Sequence, residues 1–457
     1  MQSIYQHIFY QPEITALFSD RQLLDYMLQV EVALAKAQAQ LGVIPEAAAT
    51  VIAAVVAQQG VSCLDQAQLA TAAGLAGNLA IPLVKQLTHA VAQRDQSAAG
   101  YVHWGATSQD VIDSACMLQI RAALQLIEQS LQQAYLAAIE LTQQYRHQVM
   151  IGRTWLQHAL PISFGFKSAR WASALKRDLE RLQQLKSRVL CAQLGGATGS
   201  LASLGDQGGA VLTAFAAQLD LHVPDCSWHA ERDRMAEVAS MLAVMVGNLG
   251  KMARDWSLLM QTEIAELSEP VMPGRGGSST MPHKRNPVAA ASVLAAANRV
   301  PTLMASLYQS MLQEHERGLG GWHAEWLIMP EIFQLSMGAL AHTVEVLQGL
   351  EIHPEQMQHN IEATQGLVMA EALMMLLAEP MGRLNAHHCI QAACQRAVAE
   401  QRHLLDVVLE LPELRAHCSA EQIAACFLPS AYLGNIQQQI DSVLAQAVVW
   451  QASIAKE

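Results

Sequence analysis

The sequence predicts an all-α protein built from long helices, and three features of the chain support this class. Hydrophobic residues make up 52% of the chain, charged residues 15% and aromatic residues only 5%. Alanine, leucine, glutamine and methionine are abundant, and these side chains lose little conformational freedom in a helix. Apolar residues repeat at helical spacing over long stretches, whereas alternating strand patterns are confined to short pieces such as 149–152.

The clearest repeat lies in the middle of the chain, where apolar residues alternate at spacings of three and four over more than three heptads. This seam comprises Met235, Val238, Leu242, Met245, Leu249, Met252, Trp256 and Leu259. Two further seams comprise Ile120, Leu124, Ile127, Leu131, Ala134, Ala138, Leu141 and Tyr145, and Leu175, Leu179, Leu182 and Val189 with Lys186 interrupting. A helix as long as the first would span roughly 50 Å, and its apolar seam must be covered. We therefore predict a bundle of long helices, with the methionine-rich stripe as core rather than as a binding groove.

The chain of 457 residues is long enough for two or three domains that share a large core. We predict a small N-terminal helical domain over 1–110, a central long-helix bundle over 111–352 and a C-terminal helical domain over 353–457. Two glycine-rich stretches, 194–209 and 272–287, interrupt the helical sequence. Because glycine lets the backbone approach other groups closely, we expect these stretches to make close contacts rather than to act as linkers.

Composition and charge exclude several functional classes. The net charge is −12 and the sequence pI about 5.8, so the basic face that nucleic-acid binding needs is not evident. The eight cysteines form no CxxC pair and the start MQSIYQHIFY lacks a signal-peptide pattern, so we expect reduced cysteines in a cytoplasmic protein. No apolar run approaches the roughly 20 residues that cross a bilayer, so we expect no membrane contact. The sequence lacks the P-loop, GxGxxG, HExxH and GxSxG motifs, and its histidines do not have the spacing of metal ligands. We therefore predict neither a cofactor nor a metal.

The segment GSSTMPHKRNP, residues 277–287, has the highest density of chemically useful side chains. Glycine opens it, hydroxyl side chains follow, and Pro282 and Pro287 stiffen the turn that carries Lys284 and Asn286. Hydroxyl groups near a cation and an amide suit chemistry on an anion. We therefore interpret the segment as functional rather than as an ordinary surface loop.

This segment resembles the signature of the fumarase/aspartase superfamily, which reads roughly GSSxMPxKxNP, and the resemblance continues along the chain in order. HWGATSQD at 103–110 resembles the first shared region of that family, and GRTWLQ at 152–157 resembles the second, usually GRTHxQ. The resemblance implies a fumarase/aspartase-like fold that assembles into a homotetramer with a twenty-helix core. It also implies active sites that each gather the three regions from three different subunits.

On that resemblance, residues of the three regions take defined roles. Ser278 matches the serine that handles the proton on the carbon next to a carboxylate. Lys284 and Asn286 match residues that stabilise the doubly charged aci-carboxylate formed when that carbon carries negative charge. Stabilisation of charge that develops in the transition state is usually the largest catalytic effect. The residues expected to position the substrate carboxylates are Thr107, Ser108, Thr154 and Gln157.

Two departures from the family pattern narrow the chemistry. Trp155 stands where the second region usually has histidine, and Ala291 stands where other members tend to have glutamate. Both changes remove groups that would accept the proton of an attacking water or donate one to a leaving amine. A carboxylate nucleophile needs no such group, because its pKa of about 4 leaves it ionised at neutral pH. The departures therefore point to an intramolecular attack that converts an unsaturated acid into a lactone, in which one molecule holds both nucleophile and acceptor.

Three further residues each have two possible roles. Arg317, in the segment EHERGLGGWHAEW, and Arg153 are predicted to bind carboxylates of a small tricarboxylate substrate, because guanidinium groups suit carboxylates. The alternative is that each arginine braces a loop through a local acid such as Glu316. His103 is a candidate proton shuttle near the substrate or a hydrogen-bonding support for the site.

Two other functions stay open at this point. An adenylosuccinate lyase or another amine lyase would share the signature, but the stretch after Arg317 lacks the serines and arginine that usually bind the nucleotide in that branch. A non-catalytic structural protein, of the kind recruited from this fold as a lens crystallin, is opposed by the joint presence of Ser278, Lys284 and Asn286.

Overall fold

The computed structural model describes residues 4–271, 276–277, 280–281 and 283–454. The described chain is mainly helical, with twenty α-helices, five short 3-10 helices and four short strands. The α-helices are α1 (Gln6–Phe9), α2 (Pro12–Leu17), α3 (Asp20–Gln40), α4 (Glu46–Gln59), α5 (Gln66–Ala76), α6 (Ala80–Ala92), α7 (Gln96–Ala99), α8 (Ser108–Gln144), α9 (Phe164–Val189), α10 (Gly208–Leu219), α11 (Asp233–Leu259), α12 (Val288–Ser310), α13 (Gly321–Gly349), α14 (Pro354–Glu362), α15 (Ala370–Met381), α16 (Arg383–Glu400), α17 (Leu404–Leu409), α18 (Pro412–Arg415), α19 (Ala420–Ala425) and α20 (Ile436–Ile454). The strands are β1 (Val149–Thr154), β2 (Gln157–Ser163), β3 (Leu267–Ser268) and β4 (Glu351–Ile352), and the 3-10 helices are Gly60–Cys63, Gly196–Thr198, Ala202–Gln207, Leu367–Met369 and Pro429–Ala431. The predicted all-α class is confirmed.

The three predicted seams lie on the long helices α8, α9 and α11, and their side chains are buried. Every seam residue of α11, from Met235 to Leu259, is at most 4% exposed. Burial of each large apolar side chain contributes roughly 1.5–3 kcal/mol to folding, so the spacing of these residues selects both the helix and its packed face. Lys186, which interrupts the seam of α9, forms an ion pair with Glu128 of α8. Tyr145 lies one residue beyond the end of α8 and is only half-buried.

The chain divides into two compact units. Unit 1 comprises Met1–Leu131, Asp178–Leu249 and Ser292–Ala341, and unit 2 comprises Gln132–Arg177, Gly250–Ala291 and His342–Glu457. The division falls inside the five long helices α8, α9, α11, α12 and α13, so each of them supplies residues to both units. The predicted domains follow chain order instead, and that three-part division stays a prediction.

Unit 2 contains an antiparallel hairpin formed by β1 and β2. Thr154 pairs with Gln157 at its closed end, so Trp155 and Leu156 form a two-residue turn. Both turn residues have positive φ, at 52° and 63°, which matches the mirror-image turn that the twist of a hairpin favours. The extended conformation expected over 149–152 is confirmed, and the strand continues to Thr154.

Unit 2 also holds a separate hydrophobic core at its C-terminal end. Leu377, Ile390, Leu404 and Ile423, from helices α15, α16, α17 and α19, are buried in one cluster. A capping box in which Ser419 bonds the start of α19 helps this short helix to form.

Two helical stretches in the described chain, Glu46–Cys63 and Val288–Ser310, are long and apolar enough to cross a membrane by length and composition alone. A bent pair, Pro354–Glu362 with Leu367–Met381, would be a third if it were one span. The helix Val288–Ser310 also carries Arg299, which forms an ion pair with Glu331. A charged residue of this kind fits a helix that packs in a folded core with one face toward water.

Candidate active site

The Thr107–Ser108 pair lies at the start of α8 and contacts the guanidinium group of Arg317. Nη1 of Arg317 donates to Oγ1 of Thr107 at 2.8 Å, and Nη2 is 3.3 Å from Oγ of Ser108. Nε of Arg317 is 3.4 Å from Oε1 of Gln109. All three acceptors are neutral. No carboxylate of the described residues pairs with Arg317, and this holds for the neighbouring Glu316 as well. This partly exposed cation is therefore available to an anionic ligand.

Asp110 fixes the loop that carries this pair. Its buried carboxylate accepts hydrogen bonds from the backbone N–H groups of Thr107 at 2.9 Å, Gly195 at 2.9 Å and Gly196 at 3.0 Å. It also lies 2.7 Å from Nε2 of His229. A buried carboxylate needs such donors to offset the loss of water. A Cβ atom at Gly195 would lie 2.5 Å from a neighbouring hydroxyl oxygen, so the close approach expected of the stretch 194–209 is confirmed here.

A second buried network lies one turn further along α8. Arg232, whose side chain is 1% exposed, forms ion pairs with Asp113 at 2.8 Å and Glu325 at 2.6 Å. Nε1 of Trp322 donates to Asp113 at 2.9 Å. Because Trp322 and Glu325 begin α13, this network joins α8 to the helix that follows the Arg317 loop. This network could not be predicted from the sequence, since its three charged residues come from separate segments with no common motif.

His103 lies in the same loop as Thr107, with a positive φ of 60°. Its Nδ1 atom is 2.7 Å from Oε1 of Glu31 on α3. Burial lowers the pKa of His103, but the charge and hydrogen bond of Glu31, helped by Asp110, outweigh this effect and raise it above its ordinary value. Gln38 of α3 donates to the carbonyl of the next loop residue at 2.6 Å, so α3 holds the loop at two points.

In unit 2, Arg153 is engaged by Glu266. The two guanidinium nitrogens lie 3.0 and 2.6 Å from the two carboxylate oxygens of Glu266, whose side chain is fully buried. Nδ2 of Asn360 also donates to Glu266, at 2.8 Å. This bidentate pair favours the bracing role for Arg153, and substrate contact stays a prediction.

The tip of the hairpin is exposed. Thr154 and Gln157 are both accessible, Trp155 is 97% exposed and Leu156 is 75% exposed. Two non-glycine residues with left-handed backbone at one turn cost roughly 1–3 kcal/mol each. A large apolar tip held in a strained turn is typical of a contact surface for another molecule.

The signature segment, residues 277–287, is anchored at its C-terminal end. Lys284 is exposed and has no carboxylate partner among the described residues, whereas Arg285 pairs with Glu351 at 2.7 Å. The backbone N–H of Asn286 donates to the carbonyl of Gly276 at 3.0 Å. The carboxylate of Glu269 accepts from the backbone N–H groups of residues 289 and 290, at 3.0 and 2.8 Å, and so caps the start of α12. Ser278, the predicted proton-handling residue, lies outside the described residues.

The predicted site residues therefore fall into two groups. Unit 1 holds His103, Thr107, Ser108 and Arg317, and unit 2 holds Arg153, Thr154, Gln157, Lys284 and Asn286. In the part of the chain that the structure describes, no group of three or more His, Cys, Asp or Glu side chains is placed to hold a metal ion.

Comparison with known proteins assigns the family. A family model described as Lyase matches residues 9–302, and one described as Adenylosuccinate lyase C-terminus matches residues 366–443. The chain belongs to this lyase family, the fumarase/aspartase superfamily, as the three motif regions predicted.

Individual relatives within this family are closely similar over their whole length. A 3-carboxy-cis,cis-muconate cycloisomerase of Acinetobacter baylyi is 62% identical, over 98% of this chain and 99% of that protein. One of Bradyrhizobium diazoefficiens is 50% identical, over 94% of each. The crystal structure of a beta-carboxy-cis,cis-muconate cycloisomerase from Acinetobacter calcoaceticus superposes with a TM-score of 0.92 at 59% identity, covering 97% of this chain and all of that one.

Proposed function

We propose that this protein lactonises 3-carboxy-cis,cis-muconate to 4-carboxymuconolactone without a cofactor, as a cytoplasmic step in the breakdown of protocatechuate. The observation that carries the proposal is the end-to-end similarity to cycloisomerases of that substrate. The departures from the family pattern at Trp155 and Ala291 support the proposal, because this chain thereby lacks the groups that a hydratase or an amine lyase would need.

In the proposed reaction a carboxylate oxygen of the substrate attacks the conjugated double-bond system and forms the ring C–O bond. The displaced electron pair moves to the carbon next to another carboxylate and gives an aci-carboxylate. A proton delivered to that carbon completes the lactone, which is an isomer of the substrate. The attacking carboxylate is already ionised at neutral pH, so no base is required for this step.

The residues divide between binding and charge stabilisation. Arg317, with Thr107 and Ser108, binds a substrate carboxylate, since its guanidinium charge is not neutralised by a carboxylate of the described chain. Lys284 and Asn286 stabilise the aci-carboxylate, together with backbone amides of the signature segment. Ser278 delivers the proton to carbon. Thr154 and Gln157 contact other carboxylates of the substrate from the hairpin.

We also propose a homotetramer in which each active site takes residues from three subunits. The exposed tip formed by Trp155 and Leu156 supports this arrangement, because such a tip needs a surface to cover it. Arg317→Met and Lys284→Met variants, each strongly impaired alone, are expected to regain part of the activity when their subunits are mixed and form hybrid tetramers. Some hybrid sites then combine an intact Arg317 from one subunit with an intact Lys284 from another. A monomer in light scattering, or hybrids with no recovered activity, would contradict the arrangement.

The activity is tested by following the ultraviolet absorbance of the conjugated diene after purified protein is added without any cofactor. Loss of absorbance with formation of the lactone is the expected result, and neither adenylosuccinate nor fumarate should react. Turnover of adenylosuccinate to fumarate in place of muconate would establish the amine-lyase alternative. Failure of every unsaturated polycarboxylate to bind would favour a structural role.

A further inference from the structure

Glu31 is a buried carboxylate with one counter-charge in contact among the described residues. Its side chain is 1% exposed, and its Oε1 atom lies 2.7 Å from Nδ1 of His103. Its Oε2 atom is buried and has no hydrogen-bond partner among the described residues. A carboxylate taken out of water must be neutralised by a proton or by a cation in contact. For Glu31 that contact is the ring of His103.

The geometry of His103 fits the role of that cation. The ring is 19% exposed on its side-chain surface, and no partner for its second nitrogen, Nε2, is found in the described chain. Nδ1 is directed to Glu31, so in the imidazolium form Nε2–H remains as a donor for a ligand. His103 is four residues from Thr107 in one loop, and Arg317 binds the hydroxyl of Thr107.

We propose that Glu31 is a positioning residue that holds His103 as an imidazolium in the carboxylate-binding loop, so that the loop offers the substrate a second cation beside Arg317. The inference rests on the proposed function, because it concerns how that site binds a tricarboxylate. In a chain of net charge −12, three substrate carboxylates need cations fixed locally. A histidine fixed by a buried acid supplies one without a long flexible side chain.

The charged groups around the loop agree with this assignment. Glu31 on α3 and Asp110 at the start of α8 favour the protonated ring, and Asp110 is itself paired with His229. The other cation at this loop is Arg317, which is held to Thr107 and Ser108. The pKa of His103 is raised because the two carboxylates outweigh burial. The imidazolium is therefore present at lower pH and is lost as the pH rises through that raised value.

The test compares the pH dependence of kcat/KM in wild type, Glu31→Gln and Asp25→Asn. Glutamine keeps an oxygen for Nδ1 but removes the charge, so the alkaline limb should move to lower pH by about one unit or more, with KM rising more than kcat falls. Asp25→Asn removes one carboxylate from the same helix, where Asp25 accepts a hydrogen bond from Nε2 of Gln29 at 2.8 Å, and it should leave the alkaline limb unchanged. An unchanged limb in a folded Glu31→Gln enzyme would overturn the proposal.

A second measurement does not depend on turnover. The Cε1 carbon of His103 is followed by NMR in wild type labelled at histidine, with His103→Gln to identify the signal. Titration above the ordinary histidine range is expected, and titration at or below that range would overturn the proposal even if Glu31→Gln fails to fold. Absence of muconate turnover in wild type would instead refute the proposed function, which this titration does not test.

Discussion

Replacement of Arg317 by methionine should separate substrate binding from folding. The change removes the guanidinium that contacts Thr107 and Ser108 and keeps a long apolar side chain. A hydrogen bond between charged groups is worth about 1.5–3 kcal/mol, so losing it to a substrate carboxylate should lower kcat/KM roughly ten- to 150-fold. In the free protein Arg317 is partly exposed, so water can replace its hydrogen bonds to Thr107 and Ser108, and the free energy of unfolding should fall by about 1 kcal/mol or less.

The assay is the decay of muconate absorbance over a range of substrate concentrations, combined with denaturant unfolding of the same samples. The kcat/KM of Arg317→Lys should lie between the values of wild type and Arg317→Met, because lysine keeps the charge but loses the bidentate geometry. Arg396→Met is the matched control, since Arg396 is a partly exposed arginine of α16 that pairs with Glu400 and Glu410. Activity of Arg317→Met within about twofold of wild type would refute the assignment of Arg317 to the substrate.

Four further outcomes are expected. Ser278→Ala should abolish turnover, and Lys284→Met should lower kcat by roughly 10²–10³-fold. The unfolding curves of both variants should be unchanged. A near-wild-type rate in either variant would exclude that residue from the mechanism. Glu266→Gln should lower the free energy of unfolding by about 3–5 kcal/mol, because it leaves a partly buried arginine without its charged partner, and a loss below about 1 kcal/mol would contradict that reasoning. The pair of Glu31 and His103 should stabilise the fold at pH values below 6.5, the ordinary pKa of histidine, and this contribution should disappear as the pH rises through the raised pKa of His103. Thermal unfolding of wild type and Glu31→Gln on both sides of that pH range tests this expectation.

The long helices could be predicted from the sequence because their signal is local. The residues from Met235 to Leu259 repeat at the period of a helix, and burial of that face follows from their apolar character alone. The glycine-rich stretch 194–209 was also informative, since Gly195 and Gly196 lie against Asp110 as close approach requires. Its partner, Asp110, could not be inferred, because the two segments are far apart in the chain.

The features that sequence reasoning missed depend on distant residues or on unusual turn chemistry. Glu31 occupies an ordinary position on an amphipathic helix, and only the fold brings it to His103. The strand β2 was not predicted, because its turn consists of Trp155 and Leu156 rather than the asparagine and glycine that usually mark a hairpin. The signature segment could be recognised by its residues, although Ser278 lies outside the described part of the chain.

The origin of the ring oxygen tests the central claim most directly. The reaction is run in D2O enriched in heavy oxygen, and the lactone is analysed by mass spectrometry before any ring opening. If a substrate carboxylate attacks and solvent-derived hydrogen reaches carbon through the enzyme, the product gains a single carbon-bound deuterium and no heavy oxygen. Heavy oxygen in the ring position would mean that water is the nucleophile, and the intramolecular mechanism would then be wrong.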